Sequence, residues 1–82
     1  MPHLQTCLDI LRRLIAKGDT DGIPLAERAI DEYLRVPPSE ARKSGLRLLQ
    51  EDVLVQRNVV LGSHRSFADT IYNYIESKLT AE

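Results

Sequence analysis

The segment from Ser39 to Leu61 has the spacing of one long helix, yet its apolar residues fall on three sides of that helix. The first side carries Leu46, Leu49, Val53 and Val60, the second carries Leu48, Val55 and Val59, and the third carries Leu54 and Leu61. One small core cannot cover three sides, so the helix needs either neighbours on opposite flanks or a partner molecule. Both interpretations stay open at this point: a central helix of a bundle, or a helix with one side exposed for binding.

The two segments before it read as helices with a single apolar face. Residues 4–17 gather their apolar side chains within about 160° of a helical wheel, and Gly18 is suited to the C-terminal cap. Residues 24–36 form the second helix, where Pro24 fits the first turn because its missing N–H needs no partner there. Pro37 and the proline after it end this helix, since proline disfavours helical geometry in the preceding residue.

The third and fourth helices are bounded by recognisable caps. Ser39 is expected to cap the third helix and Gly62 to close it, while Gly45 marks either a kink or the true start. Ser66 and Asp69 have the spacing of a capping box, which predicts the start of a fourth helix with one apolar stripe.

The chain therefore predicts an all-α fold, namely a small antiparallel three- or four-helix bundle with a long central third helix. Its 82 residues are expected to make one domain over positions 1–82, and a composition of 43% hydrophobic and 28% charged residues is that of a folded chain. A chain of this length buries only about 60 to 65% of the surface that its unfolded form exposes. Its own core is therefore modest, and a partner would bury further surface.

Composition argues against several classes of function. A net charge of -1 and a pI near 6.1 remove the long-range attraction to phosphate that nucleic-acid binders use. One cysteine, Cys7, with two histidines cannot build an internal disulfide or a four-ligand cysteine and histidine zinc site, and we expect no metal or cofactor. The single cysteine fits a reducing compartment, and we expect a cytoplasmic protein. Arginines interrupt the apolar pattern of the first helix, so we expect neither a signal peptide nor a membrane span.

The stretch RNVVLGSH places Arg57, Asn58 and His64 around the predicted end of the third helix. An arginine fork binds phosphate through two parallel hydrogen bonds, and an imidazole gives and takes a proton near neutral pH. The stretch resembles the motif of the HEPN ribonucleases, helical-bundle proteins that cleave RNA. The resemblance implies that Arg57 stabilises phosphate charge, His64 transfers a proton and Asn58 supports them. The alternative is a solvated arginine on the helix and a histidine in a loop.

A second resemblance covers most of the chain through the segments LRRLIAKGDTDGIPLAERAIDEYL and LLQEDVLVQRNVV. Their helix order and apolar spacing are similar to those of the small helical chaperones of flagellar and related type III export. The resemblance implies a protein that shields an export subunit by offering it a helical groove. It carries no residue-level motif.

These observations predict a protein–protein interaction module, whether adaptor, export-type chaperone or regulatory subunit, that binds another protein or a second copy as a homodimer. The predicted binding surface is the second side of the third helix with one residue of the third side: Leu48, Val55, Val59 and Leu54. The alternative function is RNA cleavage by Arg57 and His64, and we expect a nucleic-acid partner only under that alternative.

Overall fold

The computed structural model describes residues 2–81, with side chains described for positions 4–19 and 21–81. Within these residues the chain forms four α-helices, and it has no strand. The helices are α1 (Pro2–Lys17), α2 (Ile23–Tyr33), α3 (Glu40–Val59) and α4 (Ser63–Ala81), with a short 3-10 turn at Thr20–Gly22. The predicted all-α helical bundle is confirmed. No helix in the described part of the chain is long and apolar enough to cross a membrane.

The four helices share one core, built around the pair α1 and α4. Each of these two helices packs against the other and against both α2 and α3. All four helices contribute buried apolar side chains to the core: Cys7, Leu11, Ile15, Ala26, Ala29, Ile30, Tyr33, Leu46, Leu49, Val53, Phe67, Ala68, Ile71 and Ile75. The resulting molecule measures 35 × 20 × 18 Å.

Helix α3 is the longest helix, at 20 residues, and one side of it enters the core. Its buried positions are Gly45, Leu46, Leu49 and Val53, which belong to the first of the three apolar sides apart from the glycine. Helix α1 contacts α3 at Asp52, and α4 contacts it at Gln50 and Arg57, on the two flanks of this buried side. The neighbours on opposite flanks therefore cover one apolar side of α3, and its second and third sides remain exposed.

Two predicted caps are present. Gly18 adopts a φ of 66° after α1, where its N–H donates to the Leu14 carbonyl at 2.9 Å. Ser39 is extended, and its Oγ accepts a hydrogen bond from the Arg42 N–H at 3.1 Å, which begins α3.

The second helix is shorter than predicted, since α2 ends at Tyr33 rather than at position 36. The chain tightens into turns there, with the Val36 N–H donating to the Tyr33 carbonyl at 3.2 Å. The Arg42 side chain then donates from Nη1 to the carbonyls of Leu34 and Val36, each at 3.0 Å. An arginine from the next helix thus satisfies two carbonyls that follow the end of α2 and have no partner within it.

Gly45 is not the start of a helix, because α3 runs as one helix from Glu40 to Val59. The residue is buried under Tyr33 of α2, and a Cβ added there would overlap the tyrosine hydroxyl and lie 2.8 Å from Cζ. A glycine inside a helix costs about 1 kcal/mol relative to alanine, and here it admits an aromatic ring from a neighbouring helix.

The predicted capping box at Ser66 and Asp69 is wrong. Helix α4 begins earlier, at Ser63, and the Gly62 carbonyl accepts from the N–H groups of Arg65 and Ser66 at 3.0 and 3.2 Å. Gly62 has a φ of 61°, which lets α4 start as soon as α3 has ended. Asp69 therefore lies inside α4, where it pairs with Arg57 of α3 instead of capping a helix.

Candidate functional site

The second apolar side of α3 is exposed along its length. Leu48 is 52% exposed, Val55 57% and Val59 71%, whereas the adjacent Leu49 is fully buried. We call Leu48, Val55 and Val59 the outer ridge. A helix held rigidly by its opposite side thus presents an apolar strip to its surroundings. That this strip binds a partner stays a prediction.

The fourth residue of the predicted surface belongs to a separate strip. Leu54 is 41% exposed, and it lies about 100° around the helix from Val55. Exposed Glu51 and Asn58 stand between them on the wheel. Leu61, which the helical wheel placed beside Leu54, lies beyond the end of α3 and is 75% exposed. The predicted four-residue surface is therefore divided in two, with the outer ridge as its larger part.

An ion pair lies along the edge of the outer ridge that faces α1. Arg12 donates from Nε and Nη2 to the two carboxylate oxygens of Asp52, at 3.0 and 2.8 Å. The hydrogen bonds and the charge of Asp52 raise the pKa of Arg12. This two-pronged contact joins α1 to α3 and compensates the carboxylate next to the ridge. Asp52 is therefore a link between two helices.

A groove that the sequence did not predict runs between α1 and α2. It has a volume of ≈ 800 Å³ and is mainly apolar, with lining residues that include Ile10, Leu14, Leu25, Ala29, Tyr33 and Val36. Arg28, Glu32 and Arg35 also line it, and Glu32 pairs with Arg35 at 3.3 Å. Ala29, a small residue on the apolar face of α2, lines the groove, but its size alone did not predict a gap between the helices.

Cys7 lies at the base of this groove and is 2% exposed. Burial raises the pKa of its thiol to about 11, because the apolar surroundings disfavour the thiolate. The thiol is therefore protonated at neutral pH and packs as a small apolar group.

The structure brings Arg57 and Asn58 together and places His64 elsewhere. Arg57 forms its ion pair with Asp69 of α4, and its Nη1 lies 3.5 Å from the Asn58 side-chain oxygen. His64 lies in the first turn of α4 rather than in a loop, and its Nδ1 is 3.1 Å from the Ile15 carbonyl of α1.

The imidazole of His64 also packs on Gly18, where an added Cβ would come within 2.5 Å of the ring. Arg57 and Asn58 thus meet each other, while His64 joins the start of α4 to the end of α1. Among the described residues no hydrogen bond links His64 to either of them. RNA cleavage by this set stays a prediction without further support from the geometry.

No protein-family model matches this chain, and no match is found among curated proteins or solved structures. The resemblances to HEPN ribonucleases and to export chaperones accordingly stay predictions. Within the described residues, no group of three or more His, Cys, Asp or Glu side chains is placed to hold a metal ion. The two candidate binding surfaces are therefore the outer ridge of α3 and the groove between α1 and α2.

Proposed function

We propose that this protein is a helical protein–protein interaction module that binds a partner through the outer ridge of α3. One observation carries the proposal: three apolar side chains, 52 to 71% exposed, are aligned on a helix whose opposite side is anchored in the core. Apolar surface of this kind gains about 25 cal/mol per Å² when it leaves water. A partner that covers the ridge would supply burial that this small core lacks.

The spacing of the ridge favours a helical partner. Leu48 and Val55 are separated by about two turns, or roughly 10.5 Å along the axis, and Val59 lies one turn further. Anchors at such intervals are those through which one amphipathic helix packs along another. Because the backbone of α3 is already fixed, binding costs little ordering of this chain.

Within this proposal the protein acts as an adaptor, an export-type chaperone or a regulatory subunit in the cytoplasm. The resemblance to flagellar and type III export chaperones supports the chaperone form, in which the ridge covers an aggregation-prone helix of an export subunit. Recovery of an export component by the wild-type protein would favour this form, and recovery of unrelated enzymes would favour a regulatory subunit.

The test places a charge on the ridge. Val55→Asp should weaken partner binding at least about tenfold, since a buried carboxylate replaces an apolar contact. Thr70→Asp is the matched control, because it adds the same charge at an exposed site of α4. Affinity capture with each variant, followed by measurement of the affinity for the captured protein, checks the expectation.

Circular dichroism must show equal helicity in all three proteins, because the ridge is outside the core. Capture of the same partner with equal affinity by Val55→Asp would contradict the proposal. Loss of helicity in Val55→Asp alone would show that the ridge supports the fold rather than binding.

A further inference from the structure

The chain carries two exposed apolar surfaces, one on α3 and one between α1 and α2. The outer ridge is a convex strip without a groove to enter, and the space between α1 and α2 is a groove of ≈ 800 Å³ without a helix in it. Leu25, on the groove, is 53% exposed, and it is the one large exposed apolar side chain in the described residues that lies away from α3 and the turn after it. Both surfaces therefore leave apolar area in water.

We infer that the α1–α2 groove binds the outer ridge of a second copy of this chain, in a head-to-tail contact. The inference rests on the proposed function, because it uses the same ridge and names its occupant. Helix in groove is a recurrent mode of recognition, and here the helix and the groove are both present on one molecule.

The groove is long enough for two of the three ridge residues. The groove is lined from Thr6 to Leu14 on α1 and from Leu25 to Tyr33 on α2, about 12 Å of helix in each case. Leu48 and Val55 of the ridge are about 10.5 Å apart, so both match the groove in length, and Val59, about 6 Å further along the axis, lies beyond it.

One pair of charges beside the two surfaces is of opposite sign. Glu51 is exposed and lies next to the ridge on the wheel of α3. Arg28 is exposed and lines the groove. Arg35, which follows the end of α2, also lines it and forms an ion pair with Glu32. A ridge in the groove would bring Glu51 of one copy toward Arg28 of the other, which favours one orientation of the helix.

A head-to-tail contact differs from a symmetric dimer in which binding surfaces stay unused. Each end of the assembly keeps one unused surface, so copies are added until the rotation closes a ring or the chain stays open. A symmetric ridge-to-ridge dimer would use the ridge twice and leave the groove empty. These two arrangements give opposite results when variants are mixed.

The experiment uses Val55→Asp, which disables the ridge, and Leu25→Asp, which disables the groove. Sedimentation equilibrium should show a wild-type mass that rises with concentration and a monomer for each variant alone. An equimolar mixture of the two variants should form a one-to-one dimer and nothing larger, because it contains one intact ridge and one intact groove. Circular dichroism checks that each variant keeps the wild-type helicity.

Three outcomes would overturn the inference. They are a mixture that stays monomeric, a Leu25→Asp variant that associates like the wild type, and a wild type that is monomeric up to about 1 mM, the range of a weak complex. The last outcome leaves the proposed function standing, provided that Val55→Asp still loses its captured partner.

The charge contact has its own control. Arg28→Glu should weaken association about two- to fivefold, as expected for one exposed ion pair, and Glu51→Arg in the same chain should restore it. Failure of the double variant to recover would show that Glu51 and Arg28 do not meet, and would overturn the proposed orientation. Should Leu25→Asp unfold the chain, Arg28→Glu gives the groove test without disturbing an apolar side chain.

Discussion

The two sides of α3 are built from the same residue types and behave differently. Leu46, Leu49 and Val53 on the inner side are fully buried, while Leu48, Val55 and Val59 on the outer ridge are at least half exposed. Leu48 and Leu49 are neighbours in sequence, and only the packing of α1 and α4 separates their surroundings. Apolar character therefore identifies residues that can be buried, whereas the arrangement of the other helices decides which of them are.

The largest expected difference between the two sides is in folding stability. Leu49→Ala should lower the free energy of unfolding by about 2 to 5 kcal/mol, because it removes core contacts and leaves a cavity. Leu48→Ala is the matched control on the outer ridge, and it should change stability by no more than about 0.5 kcal/mol. Urea denaturation of the two variants measures both values.

Equal losses from these two variants would break the comparison. In that case the outer ridge would be part of the folded core, either within one chain or in an obligate dimer. Repeating the denaturation at several protein concentrations separates the two, because the stability of an obligate dimer depends on concentration.

The reaction rates of a buried thiol and of a thiol on the outer ridge should differ by about a hundredfold, which is a smaller effect. The Cys7 thiol, with its pKa raised from 9.0 to about 11, has about a hundredth of the thiolate of an unshifted cysteine at neutral pH. Val55→Cys in a Cys7→Ala background moves the single thiol to the ridge, where it should react about a hundredfold faster with a disulfide reagent.

The reaction rate of Cys7 should also depend on pH in a definite direction. The reactivity of Cys7 should keep rising with pH until about 11, because only the thiolate reacts and burial delays its formation. In urea the two thiols should react at similar rates. Similar rates in the folded proteins would show that the base of the groove is open to solvent.

The smallest effect is expected at a pair of adjacent small residues. Gly45→Ala should destabilise the protein by about 1 to 3 kcal/mol, because the new methyl group meets the Tyr33 ring and outweighs the better helix propensity of alanine. Ser44→Ala is exposed on the outer side and should gain up to about 0.5 kcal/mol. Thermal unfolding followed by circular dichroism is sufficient. A stabilised Gly45→Ala variant would indicate that Tyr33 moves aside at little cost.

Much of the fold was predictable from local signals. Gly18 ends α1 and Ser39 begins α3, as predicted. A positive φ and an extended serine cap depend only on residues within one turn. The prediction of a capping box at the start of α4 failed for the opposite reason. Asp69 matched a local pattern, but Gly62 let the helix begin earlier, and the carboxylate was left to pair with Arg57 across two helices.

The candidate site was predictable only in part. The residues of the outer ridge follow from spacing on α3, since an apolar side is visible wherever a helix is amphipathic. The groove between α1 and α2 was not predicted, because a gap depends on how far apart two helices lie and on which side chains fail to fill it. Ala29 hinted at the gap, yet a small residue in a sequence is equally compatible with close packing.

By itself, the sequence determined four helical segments, their approximate limits and the three apolar sides of α3. These depend on periodicity, caps and breakers, which act within a few residues of the chain. The tertiary structure decided which apolar side entered the core, that Gly45 admits Tyr33, and that His64 turns toward α1 instead of Arg57. Those choices depend on contacts between residues far apart in sequence, whose relative placement no local pattern contains.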